Sequence, residues 1–255
     1  MQAIVGPFLR YLDDIETNIL LVNQLKTLAI ATAPPSSARG TLGRAAHGVR
    51  DTVRSQRTWE AIALDGSLLF LSAQYEVTVR DLLHELMLRK CMNATTYADL
   101  PETIRTENAR LIGDLLRSGS RDPTVDVVKV VEDFVQCSRV GRPVVLYFEG
   151  FANHDRNLSP DELKRVMNRA GVSDFWPRIG RDHDVQSHLS CSNESAAITG
   201  THGVLKQFIA DRNAISHRGP GYQTIGATVL AEYVSFFRCL MPVLARCLEA
   251  HVQEQ

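Results

Sequence analysis

An all-α fold, a single helical bundle, is what this 255-residue sequence predicts, and three observations carry the prediction. Apolar residues recur at spacings of three and four along most of the chain, the period of one helix face. Helix start and stop signals, a capping box and a Gly-Pro-Gly breaker among them, fall at the ends of those periodic stretches. The composition is that of an ordinary globular protein, 44% hydrophobic and 22% charged, which excludes a disordered chain, a collagen and a disulfide scaffold.

The elements follow in order. Phe8, Leu12, Ile15, Ile19 and Val22 mark a first amphipathic helix, closed by Pro34-Pro35-Ser36-Ser37. If residues 44–58 are helical, His47, Arg50, Arg54 and Arg57 form a basic stripe on one face, either a solvated surface or a contact for RNA backbone or an acidic partner. Residues 67–90 carry the clearest helical pattern, through Leu68, Leu71, Tyr75, Val79, Leu82 and Leu86. Within it Glu76 and Arg80 share a face, the arrangement of an i,i+4 ion pair. A third helix starts at Pro101, and proline suits a first turn. Residues 124–137 stay open between strand and helix, because their valines are β-branched while Phe134 extends a helical stripe. Val144 to Phe148 reads as a short strand or a buried extended segment, within an irregular insertion at 140–157.

Ser159-Pro160-Asp161-Glu162 is a capping box, and its helix should end near Gly171. Residues 178–193 read as polar and irregular. A helix resumes through Val204, Leu205, Phe208 and Ile209 and stops at Gly219-Pro220-Gly221. A long last helix carries Val229, Tyr233, Phe236, Leu240 and Val243, with Pro242 expected to kink it. The chain reads as one domain over 1–255: an N-terminal helix and basic arm over 1–60, then a bundle over 61–252.

Net charge is −1, so nothing in bulk charge argues for nucleic acid or a membrane. Arginine nonetheless outnumbers lysine 23 to 5, which fits either arginine-rich codon usage or phosphate recognition by guanidinium forks. Five widely spaced cysteines without a C-x-x-C pair suggest reduced thiols. Charges interrupt the N-terminal apolar stretch, and no uncharged apolar run reaches the ~20 residues of a membrane span. A cytoplasmic protein without membrane association is expected.

P-loop, G-x-G-x-x-G, G-x-S-x-G and H-E-x-x-H signatures are absent from the sequence. What remains is Arg212-Asn213-Ala214-Ile215-Ser216-His217. The bare R-x4-H spacing is weak, since chance alone gives about 0.7 such pairs here and Arg178 with His183 makes a second. Context separates the two. The second pair has loop composition, with Pro177 and Gly180 around it, whereas the first ends an amphipathic helix. Residues five apart on a regular helix are ~140° out of register, so Arg212 and His217 converge only where the helix ends. Asn213, four residues before His217, is placed to orient the imidazole, unless Arg212 simply pairs with Asp211 or a terminal carbonyl and His217 simply caps the helix. A guanidinium to stabilise a phosphorane-like transition state and an imidazole to move a proton together suit metal-independent RNA cleavage. Asp182-His183-Asp184 with His188 lacks a fourth ligand at a diagnostic spacing, so no metal and no cofactor is expected.

This motif at a helix end, in an all-α chain, resembles the HEPN superfamily of ribonucleases. The order of elements is similar to the stand-alone toxin branch of RiboL-PSP or MAE-like type: the helix with Ser72-Ala73-Gln74-Tyr75-Glu76, the Ser159-capped helix, and Ile209 to Gly219. The similarity covers residues 67–250 in pattern and is specific over 205–219. It implies an endoribonuclease with Arg212, Asn213 and His217 in its active site, and it allows Glu76 near the cleft. Arg50, Arg54, Arg57 and Arg218 are the expected RNA contacts. It further implies a homodimer with two motifs facing one cleft, tRNA or mRNA as substrate, a cognate antitoxin, and a toxin or antiviral role. Some members lack catalysis and bind nucleotides, RNA or partners instead.

Overall fold

The computed structural model describes residues 1–30, 41–55, 58–119, 123–137, 139, 144–152, 157–217 and 224–254. Among these there are eleven α-helices and one 3-10 turn, Tyr97–Asp99, and no strand. The helices are α1 (Gln2–Ile30), α2 (Thr41–Ser55), α3 (Trp59–Asn93), α4 (Glu102–Ser118), α5 (Val127–Cys137), α6 (Phe148–Ala152), α7 (Pro160–Arg169), α8 (Phe175–Arg181), α9 (His183–His188), α10 (Glu194–Ser216) and α11 (Ala227–Gln253).

Four long helices make the core. The periodic leucines of α3, with Tyr75 and Val79, are fully buried, and α1, α10 and α11 close around them. The apolar stripe of α1, Val5 to Val22, packs on α3 and α11. Phe8, Tyr75, Phe208, Phe236 and Phe237 meet edge-on or tilted at the centre, ring centroids 4.8 to 6.4 Å apart. That geometry suits aromatic quadrupoles and adds to the area they bury. The last helix, α11, is long and apolar enough to cross a membrane, but Leu230, Phe237, Leu240 and Leu244 are buried in the bundle. Pro242 lies inside it and withholds one N–H from the helix ladder.

Helix ends obey the chemistry of their residues. The Ser159 hydroxyl accepts from the Glu162 amide at 3.3 Å, so the capping serine is in place, while the Glu162 carboxylate turns away to Arg165. Just beyond the end of α7, Gly171 takes φ +80°, a conformation that favours glycine. Residues 124–137, open in the sequence, resolve as the helix α5, and 144–147 is extended without pairing into a strand. Asn108 fixes that extended segment: its side-chain oxygen accepts the Tyr147 amide at 2.9 Å and its amide donates to the Tyr97 hydroxyl at 3.3 Å.

The structure corrects the irregular reading of 178–193. Residues 175–181 and 183–188 are two short helices, because Phe175, Trp176, Ile179 and Val185 are buried and Asp182 caps α9 by accepting the Asp184 amide at 3.0 Å. Gly180 is a packing residue. A Cβ there would lie 2.8 Å from the Glu194 carbonyl oxygen and 2.6 Å from Ile198, so glycine is what lets α8 approach α10.

Five cysteines are free. Burial pushes the Cys91 thiol up to about 12 and those of Cys239 and Cys247 to about 11. Lys90 is buried on α3 with its Nζ 3.0 Å from His251 Nε2 of α11, and burial brings its ammonium down to about 8.

Candidate functional site

The R-x4-H motif occupies the C-terminal turn of α10. Asn193 starts that helix as its N-cap, accepting the Ala196 amide at 2.9 Å, and Phe208, Ile209 and Ile215 pin one face to the core. This leaves Arg212 and Asn213 half-buried and His217 exposed. His217 is the C-cap: its amide still donates to the Asn213 carbonyl at 3.0 Å, but φ −111° and ψ 37° take the chain out of the helix. The helix therefore ends at the histidine, as convergence of the pair requires.

Asn213 holds a different group from the one expected. Its side-chain oxygen accepts from Arg212 Nη1 at 3.2 Å and from Asn157 Nδ2 at 2.7 Å. The residue thus steadies the guanidinium, and its contact with His217 is through the backbone. Asn157 precedes α7 and lies 56 residues away in sequence, so nothing in the local pattern could have singled it out. Beside it, the Leu158 carbonyl accepts from the buried Tyr75 hydroxyl at 3.4 Å, which ties the same segment to the core helix α3.

Arg212 has no ion pair among the described residues. The simplest structural explanation for it, pairing with Asp211, does not occur among the described residues; the Asp211 oxygens accept instead from the Tyr233 hydroxyl at 2.5 Å and from Gln207 Nε2 at 2.8 Å. Burial, with the Asp211 carboxylate beside it, raises the Tyr233 phenol. Asp211, Gln207 and Tyr233 line a groove of about 690 Å³ between α10 and α11, and Arg212 projects from the flank about a quarter turn away. Arg212, steadied by Asn213 and without an ion pair among the described residues, keeps guanidinium donors that an anionic oxygen can take, and the exposed His217 closes the same helix five residues on.

Other candidates are placed as follows. Glu76 is half-buried on α3, with no ion pair to Arg80 among the described residues. Its Oε1 is buried without a hydrogen-bond partner, as is the Ser72 hydroxyl one turn earlier. The expected i,i+4 pair is therefore absent, and neither Arg212 nor His217 bonds to Glu76. Arg50 lies against His47 at 3.0 Å with its side chain only 11% exposed, so it does not project from the surface of α2. The side chain of Arg54, and Arg57 and Arg218 entirely, lie outside the described residues.

The arginine of the second match is held in ion pairs. Arg178 lies on α8, gripped by Asp174 at 2.7 Å and by Glu254 at 3.0 Å, which raises its pKa. His183 stands in the first turn of α9. Asp182 and Asp184 both hold the Arg246 guanidinium, at 3.0 and 2.6 Å.

No curated protein and no solved structure matches the chain. The model of one family does match, RiboL-PSP-HEPN, over residues 49–250, which takes in α3 to α10 and nearly all of α11. With an all-α bundle built around that stretch and the R-x4-H motif at the end of its α10, the chain belongs to the RiboL-PSP-HEPN family.

Proposed function

We propose that the protein is a metal-independent endoribonuclease whose active site is Arg212, Asn213 and His217. The observation that carries this reading is the Asn157–Asn213–Arg212 chain, which steadies a guanidinium with no ion pair among the described residues on the helix end that His217 closes. In the reaction, the RNA's own 2′-hydroxyl attacks the adjacent phosphorus while His217 takes its proton. Arg212 stabilises the charge that builds on the non-bridging oxygens, and Asn213 keeps the guanidinium aimed. The bond from phosphorus to the 5′-oxygen breaks, leaving a 2′,3′-cyclic phosphate and a 5′-hydroxyl. That leaving oxygen needs a proton from a second acid, and a homodimer with two facing motifs supplies it as the partner's His217. The biological setting we infer is cytoplasmic RNA cleavage, of tRNA or mRNA, by a toxin or antiviral effector restrained by an antitoxin.

The test is incubation of the purified protein with tRNA and mRNA in EDTA, followed by end-group analysis. Cyclic-phosphate and 5′-hydroxyl ends, lost in His217→Ala with the fold retained by circular dichroism, are expected. Cleavage abolished by EDTA and restored by magnesium overturns the mechanism.

A further inference from the structure

The groove between α10 and α11, about 690 Å³ in volume, is lined by two facing helix stripes. Val204, Gln207 and Asp211 succeed one another at spacings of three and four on α10, as do Val229, Tyr233 and Phe236 on α11. The third side is the segment Thr224 to Gly226. Its Ile225 amide donates to the buried Asp65 at 3.2 Å, which fastens that wall to α3.

Among the described residues no arginine or lysine lines this groove, whereas two carboxylates do, Asp211 and Glu232. Their situations differ. Asp211 is committed to the Tyr233 hydroxyl and to Gln207 Nε2. Glu232 is exposed and has no hydrogen bond or ion pair among the described residues. Its charge still reaches the groove floor, since burial, the Asp211 hydrogen bond and the Asp211 and Glu232 charges together raise the Tyr233 phenol. Such a groove repels phosphate. It accepts a flat, neutral ring with N–H groups along one edge: apolar walls meet the ring faces, and a free carboxylate meets the edge.

The groove adjoins the motif. Asp211 and Arg212 are consecutive on α10, their side chains about 100° apart around the axis. A nucleotide that gives its phosphate to Arg212 on the flank can therefore lay its base into the groove. The four RNA bases differ in what they offer a carboxylate there. Guanine carries two adjacent donors, N1–H and the N2 amine, and one carboxylate takes both as a fork. Adenine and cytosine set a single amine beside a ring acceptor, which a carboxylate repels. Uracil flanks its one N–H with two carbonyl oxygens.

We propose that this groove is a guanine-recognition site, in which the Glu232 carboxylate reads the base of a nucleotide flanking the cleaved bond while Arg212 holds its phosphate. The link to cleavage rests on the ribonuclease reading above; the recognition of guanine does not. A guanine in a duplex has spent its Watson–Crick edge on pairing, so the site directs cleavage to unpaired guanines.

The test uses the full-length wild-type chain and the four nucleoside 3′-monophosphates, none of which offers a bond to cleave, read by ligand-observed NMR titration. Guanosine 3′-monophosphate should bind at least about tenfold tighter than the other three. Inosine 3′-monophosphate, which lacks only the N2 amine, should lose most of that margin, a result that needs no variant. Glu232→Gln replaces one acceptor oxygen by a donor and should lose the margin too; the residue is exposed, so the fold should persist. Arg212→Ala should weaken all four ligands alike and keep the margin. In cleavage of an unstructured RNA of mixed sequence, the cuts should fall beside guanine, and Glu232→Gln should erase that bias. Equal affinities, or a margin that survives both inosine and Glu232→Gln, overturn the proposal. So do cuts without guanine bias. Displacement of guanosine monophosphate by equimolar agmatine also overturns it, and would make the groove a seat for an organic cation. A guanine margin in a protein that cleaves no RNA would keep the site and refute the ribonuclease.

Discussion

Replacing Asn157 with alanine should slow RNA cleavage without touching any group that meets the substrate. The side chain donates a 2.7 Å hydrogen bond to Asn213, the shorter of the two that converge on its oxygen. A neutral hydrogen bond of this kind is worth about 1 kcal/mol net, so Asn157→Ala should cost about fivefold in rate. Arg212→Ala and His217→Ala remove the groups proposed to react and should each cost about a hundredfold or more. The loss in Asn157→Ala should fall on kcat and spare KM, because a loosened guanidinium still binds the ground state. Single-turnover cleavage of one defined RNA supplies the rates. A double-mutant cycle with Asn213→Ala should show coupling of about 1 kcal/mol, since the first substitution already removes what the second disrupts. A coupling of zero, or an Asn157→Ala rate as low as that of Arg212→Ala, refutes the view that Asn157 acts through Asn213.

Three further outcomes are expected. Arg178→Ala and His183→Ala should leave cleavage nearly intact, while Arg178→Ala lowers the melting temperature by undoing the links to Asp174 and Glu254; an inactive, folded His183→Ala would mean the other R-x4-H pair is the working one. Gly180→Ala should destabilise the fold by about 1–3 kcal/mol, because the Glu194 carbonyl oxygen is backbone and cannot swing aside; urea unfolding at wild-type stability contradicts this packing. Lys90 is charged in the unfolded chain up to its ordinary 10.5 but in the fold only up to about 8. Its ionisation therefore opposes folding below pH 8, and the penalty disappears as pH rises from 8 to 10.5, at most about 3 kcal/mol over the range. Lys90→Met lacks that penalty, so its stability relative to wild type should fall across this window in paired urea titrations. The cysteines, whose raised pKa values act in the opposite direction, cancel in the comparison. A constant difference from pH 7 to 9.5 refutes the assignment.

The core helices were legible because burial on one face imposes a period that the sequence cannot conceal. Leu68, Leu71, Tyr75, Val79, Leu82 and Leu86 all proved fully buried. The caps were legible too, since Ser159 acts within four residues of itself. Helices α8 and α9 were not. Pro177 and Gly180 look like breakers locally, yet the proline suits an early turn of α8 and the glycine answers to Glu194 and Ile198 on another helix. The R-x4-H motif could be found from context, whereas its support could not. Asn157, Tyr75 and Tyr233 reach the motif region only through tertiary packing, and no spacing encodes that.

The unpaired thiols give this molecule a built-in clock for its own breathing. A thiol reacts with alkylating reagents only as thiolate, so burial and raised pKa together silence Cys91, Cys137 and Cys247 in the closed protein. Each regains ordinary reactivity only when its surroundings open. Cys137 ends the short helix α5, while Cys91 and Cys247 sit on two of the longest core helices, α3 and α11. Labelling of Cys137 ahead of the other two would time the fraying of the α5 edge separately from the loss of the bundle. Mass-resolved alkylation can therefore follow local and global opening in one unmodified chain, at any temperature where the protein is folded.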